Sequence, residues 1–375
     1  MYIKKRAVQI LSLLLLIPII ASLFPRGSAA ESPPFPDASA FLLMEKEDKK
    51  VLLSSNEHSA LPIASTTKLM TCLVILEHLA LSDEVIVSPL AVGVEGSSAY
   101  LRANEHLTVE ELLYCLMLRS ANDAAVALAL HLSGSIEEFA RLMNEKAKQI
   151  GMVDSSFSNP HGLDAADHYS TAYDLALLLA EGLENPDFCR IVSTKSILIG
   201  QGEHSRALTN HNKLLVSLEG CLGGKTGYTL RSGRCLVSAC KREDTVFICV
   251  TLNCRNDWEA HDALYEYGFS QLKRFYYHGF SSELPVVGFT ERIYVSTESF
   301  SMLSTPSTSL SYHPICPHFL FSPVHSGDRI GVLLVKLNGS TVEVLPIYAR
   351  ADAESLPDQS ILSRIFSKLF ALFQN

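Results

Sequence analysis

Ser65-Thr66-Thr67-Lys68, running into Leu69-Met70-Thr71-Cys72-Leu73-Val74-Ile75-Leu76, is the stretch around which the rest of the chain can be organised. Leu69, Met70, Leu73, Val74 and Leu76 recur at helical spacing, so Ser65 and Lys68 stand at the head of an apolar helix. Residues three apart on a helix share a face, which lets the Lys68 amine lie near the Ser65 hydroxyl. A serine hydroxyl is a weak nucleophile and needs a base. Lysine can be that base if burial or a nearby positive charge keeps it neutral. Amides at the helix start could also bind an oxyanion. Taken alone, the pattern equally describes a helix capped by serine.

Two further motifs supply what a lone Ser–Lys pair lacks. Ser120-Ala121-Asn122 falls between two apolar helical runs. Its hydroxyl can relay a proton between Lys68 and a leaving amine, and its amide can hold a peptide carbonyl or orient the lysine. The bland alternative is a helix–helix turn capped by Asn122 or Asp123. Lys225-Thr226-Gly227 opens a strand-rich stretch. Gly227 lets a ligand lie against the strand backbone, while Lys225 and Thr226 offer a charge and a hydroxyl to a carboxylate. A phosphate-binding loop is excluded, because the G-x-x-x-x-G-K-[ST] spacing is absent and a strand follows rather than a helix.

Working outward, Ala40–Met44 and Lys50–Leu53 read as strands joined by a polar Glu45–Asp48 turn. Helical runs recur at Val109–Leu118, Asp123–Leu132, Ile136–Gln149 and Thr171–Leu183. Arg234–Cys240 and Thr245–Asn253 are strand-like, and Trp258–Gly268 reads as a closing helix. Strands at both ends with helices between them suggest one sheet flanked by helices, an α+β or α/β sandwich. Beyond Phe275, short alternating runs between Ser, Pro and Gly clusters suggest a small all-β domain. The expected segments are 1–30, 37–275, 276–350 and 358–375.

In this order S-x-x-K, S-x-N and K-T-G form the signature set of penicillin-binding proteins and class A β-lactamases. The middle motif carries Ala121 where Asp is usual. Pro62–Thr71, Ser120–Ala125, Asn159-Pro160-His161-Gly162-Leu163, His168–Ala176, Gly224–Thr229 and Ser232–Val237 together resemble the serine-type D-alanyl-D-alanine carboxypeptidases, the low-molecular-weight penicillin-binding proteins of peptidase family S11. The resemblance spans most of residues 37–275. It implies an α+β, β-lactamase/transpeptidase-like sandwich of a mainly antiparallel sheet and helices, and a two-step acyl transfer on peptidoglycan stem peptides ending in D-Ala-D-Ala, with β-lactams as covalent inhibitors. Ser65 would attack, Lys68 would take its proton and Ser120 would relay a proton to departing D-alanine. Asn122, Lys225, Thr226 and Gly227 would bind substrate, and no metal or organic cofactor is implied.

A carboxylate clamp often includes an arginine. Arg255, just after the strand Thr245–Asn253, is the candidate; Arg234 is expected to pack on the sheet. His161 and His168 tempt a Ser-His-Asp reading, but Lys68 already supplies the base, so both are given structural roles, with His161 at a loop rim. Two rivals remain open: a β-lactamase, which needs a glutamate to activate water, and a non-catalytic cell-wall binding protein. Glu181 and Glu184 do not look placed for that first task.

The two ends suggest export. Lys4, Lys5 and Arg6, the apolar run Ile10–Leu23 and small residues at Ser28-Ala29-Ala30 have the layout of a signal peptide, so the body of the protein is expected at the outer face of a cell membrane. From Ile361 to Phe373, apolar residues at helical spacing alternate with Arg364 and Lys368, which suits a helix lying in a lipid interface, the alternative being a helix docked on its own protein. The nine cysteines show no CxxC pair, which argues against zinc. A net charge of −9 gives no nucleic-acid footprint.

Overall fold

The computed structural model describes residues 33–200, 205–287, 289 and 291–353. The expected signal segment 1–30 and the amphipathic segment 358–375 lie outside these residues. In chain order the first unit contains β1 (Ala40–Glu45), β2 (Lys50–Ser55), α1 (Lys68–His78), β3 (Glu84–Ile86), β4 (His106–Thr108), α2 (Val109–Leu118), α3 (Asn122–Ser133), α4 (Ile136–Ile150), α5 (Ala172–Gly182) and α6 (Pro186–Ser193). The short hairpin β5 (Ser196–Ile199) and β6 (Arg206–Thr209), α7 (Leu214–Ser217), β7 (Cys221–Thr229), β8 (Gly233–Arg242), β9 (Thr245–Leu252) and α8 (Asp257–Gln271) complete it.

Five strands form one antiparallel sheet in the order β2–β1–β9–β8–β7. Because strand side chains alternate between faces, this sheet builds two cores at once. Leu42, Met44, Val237, Ala239, Ile248 and Val250 face the helical cluster that includes α1 to α6. Phe41, Leu43, Leu236, Phe247 and Cys249 face α8 through Leu264 and Tyr265. The expected sheet flanked by helices is the architecture observed. β7 ends the sheet, so its outer backbone edge faces away from β8.

Helix α1 lies inside the helical layer, and every residue from Lys68 to Ile75 is buried. A helix apolar on all sides belongs in a core. The one ionisable group in that run besides the Cys72 thiol, Lys68, is therefore deeply desolvated by the position of its helix. Several neighbouring helices begin with side-chain caps: Thr108 with Glu111 in a capping box, Ser135 at α4, and Asn185 followed by Pro186 at α6.

An all-β domain follows, with β10 (Lys273–Tyr277), β11 (Ser281–Val287), β12 (Arg292–Ser296), β13 (Phe300–Ser304), β14 (Leu310–Ile315), β15 (Leu320–Phe321), β16 (Arg329–Leu337) and β17 (Ser340–Ala349). Six of these strands form one sheet around Leu284, Val286, Ile293, Val295 and Ile347. Strand β10 spans the expected 275/276 boundary. Its Arg274 reaches back into the first unit and donates to both carboxylate oxygens of Glu45, at 3.0 and 2.9 Å, and to Asp48 at 2.7 Å. The polar turn expected at Glu45–Asp48 is corrected by one residue: Glu45 is the fully buried last residue of β1, and Arg274 matches its charge.

Removing one member of a buried ion pair strands the other charge. Arg274→Met is expected to cost about 3–5 kcal/mol of stability in urea unfolding. The double variant Arg274→Met/Glu45→Gln recovers part of that loss. Equal stability for wild type and Arg274→Met would show that the pair holds nothing together.

Candidate active site

The nucleophile turn is a short 3-10 segment, Ala64–Thr67, leading into α1. Ala64 has a φ of +47°, a left-handed conformation costing about 1–2 kcal/mol for a non-glycine residue. Local hydroxyls hold it: Thr66 Oγ1 donates to the Ile63 carbonyl at 2.7 Å and Thr67 Oγ1 to the Ala64 carbonyl at 2.8 Å. His168 supports Thr67 from below. Its Nδ1 accepts from the Ser158 amide, so Nε2 carries the proton and donates to Thr67 Oγ1 at 2.8 Å. Burial lowers its pKa to about 4, which keeps the ring neutral.

The Lys68 amine lies 2.9 Å from Ser65 Oγ, 2.7 Å from Asn122 Oδ1 and 2.6 Å from the His161 carbonyl oxygen. Asn122 is oriented by its other end, because Nδ2 donates to the Glu95 carbonyl at 2.6 Å. Two of the three lysine partners are thus pure acceptors. A neutral amine donates two hydrogens to them and turns its lone pair to the Ser65 hydroxyl. Burial, and after it the charge of Lys225, holds the Lys68 pKa well below the ordinary lysine value of 10.5. The three contacts suit an ammonium as well as an amine, and it is the desolvation of Lys68 that favours the neutral form a base requires.

The turn 159–163 delivers the His161 carbonyl. Asn159 Oδ1 accepts from the Gly162 and His161 amides, and its Nδ2 donates to the Leu163 carbonyl. Gly162 has a φ of +89°, and a Cβ there would stand 1.9 Å from the Ala64 carbonyl oxygen. His161 was expected at a loop rim. Its turn instead sits on the nucleophile turn, with its ring neutral and its pKa pushed by burial to about 3.

Ser120 follows α2 with a φ of +58°. It lines the cleft, and Lys68 is not among its hydrogen-bond partners. Ala121 is fully buried in the apolar core, where an aspartate would bury a charge. Asp123, two residues further on, accepts from Ser98 Oγ at 2.6 Å and from the amides of Ala99, Leu101 and Ala124. That fixes the loop 97–101 along the cleft.

Strand β7 forms the facing wall. A Cβ on Gly227 would stand 3.0 Å from the Ser65 amide nitrogen, the Ile63 carbonyl oxygen and Ala64 Cβ. The backbones of β7 and the nucleophile turn are therefore nearly in contact, and glycine permits this. Lys225 is buried behind the strand, where its amine donates to the Thr226 carbonyl at 2.8 Å and burial lowers its pKa to about 7. Ser65, Ser97, Ser120, Thr226, Gly227, His211, Lys213 and Trp258 are among the residues lining a cleft of about 560 Å3.

The expected arginine is placed differently. Arg255 lines a neighbouring cavity of about 990 Å3, and Arg234 lines the cleft itself. The strand order explains this: Arg255 follows β9, whereas Arg234 is the second residue of β8, directly opposite Tyr228 of β7. Arg234 is already matched, donating to Asp257 at 2.7 and 3.1 Å and lying over the Trp258 ring. Arg255 has no hydrogen bond or ion pair among the described residues, and its cavity shares the Tyr228–Arg234 wall with the cleft. Glu181 and Glu184 pair with Lys146 and Lys46, away from the cleft. No cluster of metal-ligating side chains occurs among the described residues.

This geometry has known counterparts. The family model for D-alanyl-D-alanine carboxypeptidases, peptidase S11, matches residues 28–256. The chain is 30% identical to D-alanyl-D-alanine carboxypeptidase DacF of Bacillus subtilis over 345 residues, covering 88% of this chain and 89% of that protein. It is 29% identical to DacC of Escherichia coli, covering 88% of each. Penicillin binding protein 6B from Escherichia coli superposes with a TM-score of 0.66 over 85% of this chain and 97% of that one, and at 24% identity this speaks for the fold alone. A mutant of the Streptomyces K15 DD-transpeptidase gives 0.60 at 28% identity over 63% of this chain and 99% of that one.

If Gly162 is needed for close approach and not only for its backbone angle, Gly162→Ala costs about 2–5 kcal/mol in urea unfolding. Gly134, with a φ of +78° and open space around it, is the control. Gly134→Ala costs about 1–2 kcal/mol. Equal losses at the two sites would remove the claim that turn 159–163 braces Ser65.

Proposed function

This chain belongs to the D-alanyl-D-alanine carboxypeptidase family, peptidase S11, and from that premise we propose how its own residues perform the reaction. The protein is a serine D-alanyl-D-alanine carboxypeptidase, a hydrolase that binds peptidoglycan stem peptides and β-lactams. The observation that carries the mechanism is the fully buried Lys68 amine, held 2.9 Å from Ser65 Oγ with Asn122 Oδ1 and the His161 carbonyl oxygen as its other partners.

Ser65 Oγ attacks the penultimate D-alanine carbonyl as its proton passes to Lys68. The oxyanion is received by the Ser65 amide and an amide on the outer edge of β7, two backbone donors that the glycine at 227 brings together. Ser120 relays a proton to the departing D-alanine amine, and water then releases the shortened peptide from Ser65. The substrate backbone adds to the free edge of β7 as an extra strand. Thr226 and the charge of Lys225 hold the terminal carboxylate. Arg255, the unmatched guanidinium in the neighbouring cavity, is the arginine proposed to reach over and complete that clamp; Arg234 is neutralised by Asp257.

The same wall accounts for covalent trapping by penicillin. The one carboxylate among the described residues lining the cleft is Asp257, which is bound to Arg234. A water-activating glutamate of the β-lactamase type is absent from that lining, so the penicilloyl ester is expected to persist. A non-catalytic wall-binding role would not require a desolvated lysine against Ser65. Residues 1–30 are read as an export signal and 358–375 as an interfacial membrane anchor, placing the enzyme at the outer face of the cell membrane.

Ser65→Ala is expected to fold and to lose D-alanine release from a stem-peptide analogue. Intact-mass spectrometry after benzylpenicillin finds one adduct on wild type and none on the variant. Undiminished release by Ser65→Ala would end the mechanism.

The pH profile follows from the two lysines. On the acid side kcat/KM falls as Lys68 gains a proton and ceases to be a base. On the alkaline side it falls above about pH 7, because the Lys225 charge that attracts the carboxylate is lost as pH rises through that value. Lys225→Arg moves the alkaline limb upward, since guanidinium stays charged. An alkaline limb unmoved by that change would assign it to another group.

A further inference from the structure

The β domain presents an exposed apolar cluster that neither its core nor the active site uses. Phe321 is 70% exposed, Val287 52% and Phe319 48%. They form one patch: Val287 and Phe321 are partners in the parallel β11–β15 pair, and the Phe319 and Phe321 rings meet edge to face with centroids 5.4 Å apart. Scattered exposed apolar residues need no explanation, but paired aromatic rings beside a third apolar side chain mark a surface built to meet something.

Where the chain leaves the domain identifies the partner. Ser322 Oγ donates to the Ala353 carbonyl, and Val324 and Ala353 form a two-way backbone bridge. Ala353, where the described chain ends, therefore lies beside Ser322, and the helically spaced apolar residues of the sequence that follows begin at Ile361. A short interfacial helix gives only modest membrane affinity by itself, so a second contact at the same end of the molecule adds directly to anchoring. Charge does not oppose it: residues 273–353 hold six Lys and Arg against six Asp and Glu, although the whole chain carries −9.

The geometry points to Phe319, Phe321 and Val287 as a second membrane-contacting surface, entering the lipid interface beside the C-terminal anchor. It rests on the reading of 358–375 as that anchor. The two contacts orient the β domain with its Phe321 end on the lipid.

The test uses the chain from Glu31 to Asn375 and vesicles of phosphatidylglycerol and phosphatidylcholine with brominated acyl chains. Phe321→Trp adds a reporter to the single native tryptophan, Trp258, which lies in the catalytic cleft and serves as the internal control. Bromolipids are expected to quench the reporter's fluorescence and leave Trp258 unaffected. Phe319→Ser/Phe321→Ser is expected to lower vesicle partitioning about tenfold with penicillin acylation unchanged. Vesicle binding with an unquenched reporter overturns the patch and leaves the anchor standing. Quenching that survives deletion of 358–375, with undiminished binding, keeps the patch and removes the anchor. A reporter already shielded without lipid, and exposed by that deletion, would mean that the tail covers the patch, which also overturns the proposal.

Discussion

An amine that stays uncharged inside the protein is the constraint from which the rest of this structure follows. Burying a lysine is costly, and the cost falls when the group is neutral and its remaining hydrogen-bonding capacity is met. Lys68 meets both conditions because α1 is buried on every side and because Asn122 and the His161 carbonyl take its two hydrogens. Each partner is fixed by something further out. Glu95 holds Asn122, Asn159 shapes the His161 turn, and His168 holds Thr67 at the base of the nucleophile turn. Strain at Ala64 and Ser120 is tolerated because these contacts over-determine the local backbone.

Much of this was legible in the sequence, for physical reasons. Ser65 and Lys68, three apart at a helix head, share a face, and the strand-like runs within 40–53 and 234–253 at the two ends of a helical stretch imply one sheet flanked by helices. The glycine at 227 announced a close backbone approach, and the structure shows what approaches: the nucleophile turn itself. What stayed hidden was carried by backbone atoms and by strand order. A main-chain carbonyl such as that of His161 has no residue-type signature. Nothing local in the sequence says that β9 and β7 are separated by β8, which decides that Arg234 and not Arg255 lines the cleft. Glu45 looked like a turn residue because its partner, Arg274, lies 229 positions away.

That long-range pair also joins the two units. Arg274 is the second residue of the first strand of the β domain, and its guanidinium bonds both Glu45 at the end of β1 and Ser301 on the neighbouring β13. The catalytic sheet and the β domain are thus linked through a buried charge pair as well as through the chain.

The ionisation of Lys68 is the quantity on which all of this turns. Titration of its side chain by 13C NMR, in enzyme labelled at lysine Cε and assigned with a Lys68 variant, reads it directly. The structure requires a resonance that titrates well below the ordinary lysine value of 10.5 and moves upward when the Lys225 charge is removed by Lys225→Met. A Lys68 resonance titrating with the surface lysines, indifferent to Lys225, would contradict the account.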